Sequence, residues 1–210
     1  DDYWVTQRVT RGEVDTVPLR PTVLVECRPL PLSQRAKYYR SGIALMPSSL
    51  RRTSSDMLSP QAKTHNYLNV VLADLEVKSR DDDAWVVLLD DSGNLAEGSS
   101  NNVFIVKDGI LATPRSQLVL DGITRRTVLD IAKELEVSTI EEDIDQYAAC
   151  NADEMFITSS SLCICPVSSF NGIPIGDGRV PGPLTMKLMS AFSDLVGLDY
   201  VAQYLAHESQ

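Results

Sequence analysis

Lys63 stands in Ala-Lys-Thr-His-Asn-Tyr-Leu-Asn at 62–69, and a lysine amine becomes a nucleophile toward carbonyls once burial or a neighbouring charge lowers its pKa. Glu97 opens Glu-Gly-Ser-Ser-Asn-Asn-Val-Phe at 97–104. A carboxylate there can keep a ring nitrogen protonated, and the small polar residues after it let a ring approach the backbone. Two further segments can hold an anion. In Asp-Gly-Ile-Thr-Arg at 121–125, Gly122 and Ile123 sit where a helix begins, its first amides unpaired, and Thr124 adds a hydroxyl. Thr-Ser-Ser-Ser at 158–161 offers Ser159 and Ser160 as additional donors.

Taken singly, each piece has an ordinary reading. Lys63 reads as a solvated lysine, Glu97 as a strand-end charge, Gly122-Ile123-Thr124 as a plain helix start, and Asn101 and Asn102 as turn residues. The signal lies in the set and its order. Competing chemistries lack their parts: Ser99 and Ser100 have no Gly-x-Ser-x-Gly frame, Lys63-Thr64 has no preceding glycine loop, and His65 and His207 have no triad partners in view. Cys163-x-Cys165 is half of a metal motif without a second half, so buried strand cysteines are expected and zinc is not.

The elements that must position these residues follow from periodicity. Residues 3–12 and 22–27 read as strands, the second closed by Arg28-Pro29-Leu30-Pro31. Across 62–80, Leu68, Val71, Leu72 and Leu75 recur at helical spacing, which puts Lys63 at or just before the start of a helix with that face in the core. Residues 84–89 form a buried-strand run. Residues 103–106 and 110–113 flank Lys107-Asp108-Gly109 as a hairpin, with Glu97 on its approach strand. A helix from Ile123 presents Val128, Ile131, Ala132 and Leu135. Residues 154–158 read as a strand, and 165–175 as a hairpin about Asn171-Gly172. A last helix begins at Pro183 with Leu184, Leu188, Ala191 and Leu195 on one face. Hairpins with separate helices predict an α+β chain.

Composition sets the surroundings. With 43% hydrophobic and 23% charged residues among 210, the chain can bury a real core. A net charge of −10 argues against nucleic acid and anionic membrane surfaces as partners, so an anionic ligand must be held by local groups. Four cysteines are too scattered for a disulfide framework, and no run is long enough to span a membrane, so a cytoplasmic location is expected. The chain opens without Met on a segment that already reads as a strand, and is expected to lack its natural start.

The order Lys63, Glu97, Gly122-Ile123-Thr124, Ser159-Ser160 resembles the class IV (fold-type IV) aminotransferases that depend on pyridoxal 5′-phosphate, a group similar to branched-chain, D-amino acid and (R)-amine aminotransferases and aminodeoxychorismate lyases. The likeness runs from about Val9 to the last helix. It implies the large C-terminal domain of the D-amino acid aminotransferase-like fold, an antiparallel or mixed barrel-like sheet with surrounding helices. Residues 1–12 would then end the small N-terminal domain or form an interdomain strand, and 13–210 would be the cofactor-binding large domain.

The resemblance also assigns roles. Lys63 would be the Schiff-base lysine and proton shuttle, Glu97 the partner of the pyridine nitrogen, and Leu120 a packing surface for the ring. Gly122, Ile123 and Thr124 would bind the phosphate with Ser160; Ser159 and Ser161 would lie near cofactor or substrate, and Tyr67 would be an active-site tyrosine. The implied reaction moves an amino group from an amino acid or amine to a 2-oxo acid, in a homodimer. The D-amino acid members carry Arg-x-His soon after Val-Thr-Arg-Gly. Here Val9-Thr-Arg-Gly12 is followed by Glu13-Val-Asp-Thr-Val-Pro18, which favours branched-chain or (R)-amine substrates. A lyase, or a truncated domain that binds the cofactor without turnover, are the alternatives.

Overall fold

The computed structural model describes residues 2–15 and 17–208, and its strands fall into two sheets. β1 (Tyr3–Thr10) and β2 (Thr22–Pro29) form the smaller one, antiparallel from Tyr3 against Pro29 to Thr10 against Thr22. Both strands are as expected, and they pair along their whole length. The hairpin leaves apolar side chains such as Val9 and Val25 largely exposed.

The larger sheet takes β3 (Ile43–Arg51), β4 (Trp85–Leu89), β5 (Leu95–Gly98), β6 (Asn102–Lys107), β7 (Ile110–Pro114), β8 (Thr139–Glu142), β9 (Glu154–Ser159), β10 (Cys163–Phe170) and β11 (Ile173–Pro174). Because β9 pairs with both β6 and β10, the strands β3, β4, β5, β6, β9 and β10 close into a six-stranded mixed barrel. The barrel-like α+β sheet is therefore as expected. β4 and β6 are buried on both faces, so they read as continuous apolar runs without alternation. Phe104 and Phe156 face each other across β6 and β9, stacked with centroids 4.9 Å apart and fully buried. Asp108-Gly109 and Asn171-Gly172 turn two hairpins, all four residues at positive φ (50°, 78°, 51° and 78°), the condition a two-residue turn of this twist imposes.

Among the described residues seven helices surround the sheet: α1 (Leu32–Ala36), α2 (Tyr38–Ser41), α3 (Leu68–Lys78), α4 (Ile123–Glu134), α5 (Gln146–Cys150), α6 (Pro183–Val196) and α7 (Tyr200–Ala206). α4 buries Val128, Ile131 and Ala132 as its period predicts. α6 starts on Pro183, and the Glu154 carboxylate accepts from the amides of Leu184 (2.9 Å) and Thr185 (2.7 Å), satisfying donors that its Gly182 cap leaves open. Leu188 is buried with Met189 and Phe192, whereas Leu195 lies outside at 62% exposure. α7, unforeseen because it is short, buries Tyr200 and Tyr204.

α3 departs most from expectation. It begins at Leu68, so Lys63 sits in the loop 52–67 and not at a helix start. Its buried side is Ala73 and Val77, while Leu68, Val71, Leu72 and Leu75 face outward. That side packs against Ala84, Val86 and Leu88, and the apolar stripe is left on the far face.

Candidate active site

One cavity of about 220 Å³ opens where the loop before α3, the β5–β6 turn, the start of α4 and the end of β9 converge. Lys63, Tyr67, Glu97, Leu120, Gly122, Ile123, Thr124, Ser159 and Ser160 all line it. These residues come from four separate stretches of sequence. Ser161 is not among the lining side chains; its Oγ accepts a hydrogen bond from Arg35 Nη1 at 2.9 Å.

Glu97 is the most firmly held member. It is 9% exposed, and its two oxygens accept from Arg52 Nε at 2.7 Å and from the Leu120 amide at 2.9 Å. The second bond fixes Leu120 beside the carboxylate. Asn102, directly opposite Glu97 in the β5–β6 register, donates through Nδ2 to the Leu120 carbonyl at 2.8 Å. Gly98 is dictated by this turn: a Cβ there would lie 2.4 Å from the Asn101 side-chain amide.

Lys63 is exposed on the cavity wall, in a loop tied down by its neighbour. Gln61 Nε2 donates to the carbonyls of Val119 (3.0 Å) and Ser116, and Gln61 Oε1 accepts from the Asp121 amide at 3.3 Å. The lysine loop is thereby fastened to the segment carrying Leu120 and Gly122. Tyr67 precedes α3, its ring edge-on to His65 at 5.7 Å, and is 37% exposed.

Across the cavity, α4 begins after Gly122 with no side-chain cap, leaving its first amides toward the cavity beside the nearly buried Thr124 hydroxyl. Behind them Arg125, 1% exposed, bonds Asp121 Oδ1 (3.1 Å), the Pro114 carbonyl (3.0 Å) and Glu141 Oε2 (2.9 Å), which anchors the helix start to β7 and β8. Two buried wall atoms, Asn101 Nδ2 and Thr158 Oγ1, have no hydrogen-bond partner among the described residues. Buried polar groups are normally satisfied, so both are suited to a polar ligand.

Arg52 and Gln61 are the functional neighbours that sequence reasoning missed. The pair Arg51-Arg52 after an apolar strand was the available signal for the first; an isolated glutamine gave none for the second. Burial pushes the Cys163 thiol up to about 11 and the Cys165 thiol well above its ordinary value. No group of His, Cys, Asp and Glu among the described residues is placed to hold a metal ion.

Residues 3–170 match the family described as Amino-transferase class IV. The chain belongs to the class IV aminotransferases. A relative from Methanocaldococcus jannaschii named "Putative branched-chain-amino-acid aminotransferase" is 38% identical over 92% of this chain and 67% of its own length. The Pseudomonas aeruginosa branched-chain-amino-acid aminotransferase is 38% identical over 75% of this chain and 51% of its own. Among solved structures, the branched-chain aminotransferase of the thermophilic archaeon Thermoproteus uzoniensis with norvaline superposes with a TM-score of 0.76 at 30% identity, covering 93% of this chain and 63% of that one. This class IV chain thus spans about half to two thirds of the length of these relatives.

Proposed function

We propose that this chain is the larger part of an enzyme that moves an amino group between an amino acid with a branched-chain-like side chain and a 2-oxo acid, with pyridoxal 5′-phosphate as cofactor. The observation that carries the reading is the meeting of Lys63, Glu97, the uncapped start of α4 and the Ser159-Ser160 turn in one cavity. The relatives' names supply the substrate class.

The residues present fit the cofactor. The open amides of α4, with Thr124 and Ser160, suit a phosphate dianion; Glu97 suits a protonated ring nitrogen; and the unpaired Asn101 Nδ2 and Thr158 Oγ1 suit polar atoms at the ring's edge. When bound, the cofactor would supply an aldehyde carbon and an electron-accepting ring. Lys63 would provide an amine for that carbon and a base for moving a proton on the substrate. Arg52 keeps the Glu97 carboxylate oriented, and Leu120, held by Glu97 and Asn102, offers an apolar surface to the ring. Tyr67 stands on the Lys63 side of the cavity as a hydroxyl donor to cofactor or substrate.

Two assignments about the assembly accompany this reading. The hairpin 3–29 is the last part of the family's small domain, with the limit placed after β2 because, among the described residues, β1 and β2 pair only with each other. The outward stripe of Leu68, Val71, Leu72 and Leu75, adjoining the lysine loop, is the face on which a second copy packs to form a homodimer. No helix among the described residues is long and apolar enough to cross a membrane, and four unpaired cysteines suit a reducing cytoplasm.

The test is the visible spectrum after addition of pyridoxal 5′-phosphate and dialysis, followed by borohydride reduction and peptide mapping. A retained band with reduced cofactor on Lys63, lost in Lys63→Ala, is expected. Turnover with a branched-chain amino acid and a 2-oxo acid then separates an enzyme from a domain that only binds. A parent chain that retains no band refutes the cofactor assignment.

A further inference from the structure

The turn between β9 and β10 is gripped from outside the cavity as well as lining it. Tyr204 donates to the Ser161 carbonyl, Tyr39 donates to the Leu162 carbonyl at 2.6 Å, and Arg35 Nη1 donates to Ser161 Oγ at 2.9 Å. The two tyrosines are packed into the core, whereas Arg35 projects from α1, the short helix joining the hairpin to the barrel. The same helix buries Leu32 and Ala36, which fixes where Arg35 emerges. The other face of the guanidinium meets the hairpin, with its central carbon 5.6 Å from the centroid of the Trp4 ring, inside the range of a cation–π contact. A further tie beside it, Gln203 Nε2 to Asp2 Oδ2 at 2.8 Å, holds the hairpin's end against α7.

Hydrogen-bond direction gives this arrangement its meaning. A guanidinium is a donor only, so Ser161 Oγ accepts from Arg35 and keeps its own hydrogen to give. Ser159 Oγ lies 3.5 Å from Ser161 Oγ and accepts from the Leu162 amide at 3.1 Å, so its hydrogen too is left to donate. Ser159 lines the cavity. A run of hydroxyls with a fixed donor at its outer end presents hydrogens at its inner end, which suits an anion there.

We infer that Arg35 is a positioning residue: by holding Ser161 on one side and Trp4 on the other, it sets the Ser159-Ser160-Ser161 turn to bind a phosphate monoester and makes that setting depend on where the β1–β2 hairpin lies. This rests on the reading of the turn as part of the cofactor site. Movement of the hairpin is felt at the phosphate through Arg35, without any described hairpin residue lining the cavity.

The experiment compares dissociation constants for pyridoxal 5′-phosphate and for pyridoxal, which lacks the phosphate, in the whole chain and in Arg35→Met and Trp4→Ala. Arg35→Met is expected to weaken the phosphorylated compound about tenfold, the scale of one hydrogen bond to a charged group, and to leave pyridoxal within about twofold. Trp4→Ala shifts the same ratio in the same direction by less. Equal loss of both compounds, the mark of a merely structural role, overturns the inference, as does no loss of either. Amide hydrogen exchange at residues 160–162 reads the grip without any ligand: faster exchange in both variants supports it and unchanged exchange refutes it. A parent that binds neither compound, with exchange still responding to Arg35→Met, removes the cofactor reading and leaves the mechanical link standing.

Discussion

Gly122 has an ordinary φ of −63°, so backbone freedom does not explain it. Space does. A Cβ added there would stand 2.4 Å from Asn102 Oδ1. Asn102 is 6% exposed, and its Nδ2 holds the Leu120 carbonyl whose amide in turn binds Glu97. Gly122→Ala must therefore push Asn102 off its bond and leave a buried donor or carbonyl unpaired, at a cost of about 1–3 kcal/mol. In Asn102→Ala the obstructing atom is already gone. Gly122→Ala in that background should then cost only the few tenths of a kcal/mol by which alanine is the poorer cap, roughly 0.5 kcal/mol. Urea denaturation of the parent, both single variants and the double variant closes the cycle, with an expected coupling of about 1–2 kcal/mol between the two sites. Cofactor affinity measured on the same four proteins should follow the same order, since Leu120 and Glu97 move with Asn102. Additive effects, with a coupling below about 0.3 kcal/mol, would show that Gly122 is not set by this contact.

Phe104→Ala removes half of a buried stacked pair and should cost about 3–5 kcal/mol of unfolding free energy, read from urea midpoints; a loss under about 1 kcal/mol would mean the barrel collapses to fill the space. At Glu141 burial raises the carboxyl, but hydrogen bonds from the Ser116 amide and from Arg125 outweigh it, so the net value lies below the ordinary 4.5. With the folded pKa the lower one, this stabilisation is present above the unfolded value and disappears as pH falls through the folded one; Glu141→Gln should flatten the decline in urea midpoint below about pH 4.5, and an unchanged slope would refute the assignment. Leu72→Glu with Leu75→Glu should convert a dimer to a monomer in sedimentation velocity while leaving the far-ultraviolet spectrum intact, and a dimer that survives both would place the interface elsewhere.

What could be read in the sequence was set by how local its cause is. The Asp108-Gly109 and Asn171-Gly172 turns and the α4 period are fixed by residues a few positions apart, and they form where expected. The gathering of Lys63, Glu97, Gly122 and Ser160 was legible through the family resemblance that their order carries. The α3 stripe misled because a regular apolar spacing reports that a face will be covered and does not name its cover: the barrel takes Ala73 and Val77 instead. Gln61 was invisible and Arg52 was hinted at only by its place after an apolar strand, because their roles come from partners on β5 and in the loop before α4, which only the folded chain brings near. α7 is too short for a period, and its two tyrosine hydroxyls find carbonyls in β10 and in the turn before it.

The way β9 completes the ring has a kinetic meaning. It lies between β6 and β10, and β10 must in turn reach back to β3, across more than half of the chain. Contacts this remote along the sequence carry a large loop-closure entropy, so closing β10 onto β3 is expected to slow folding. Thr158 and Ser159 ride on that closing strand, and Glu97 on a strand two places away in the ring. A ligand that touches both requires β9 to be docked on β6 beside β5, so its binding should slow unfolding far more than it hastens folding.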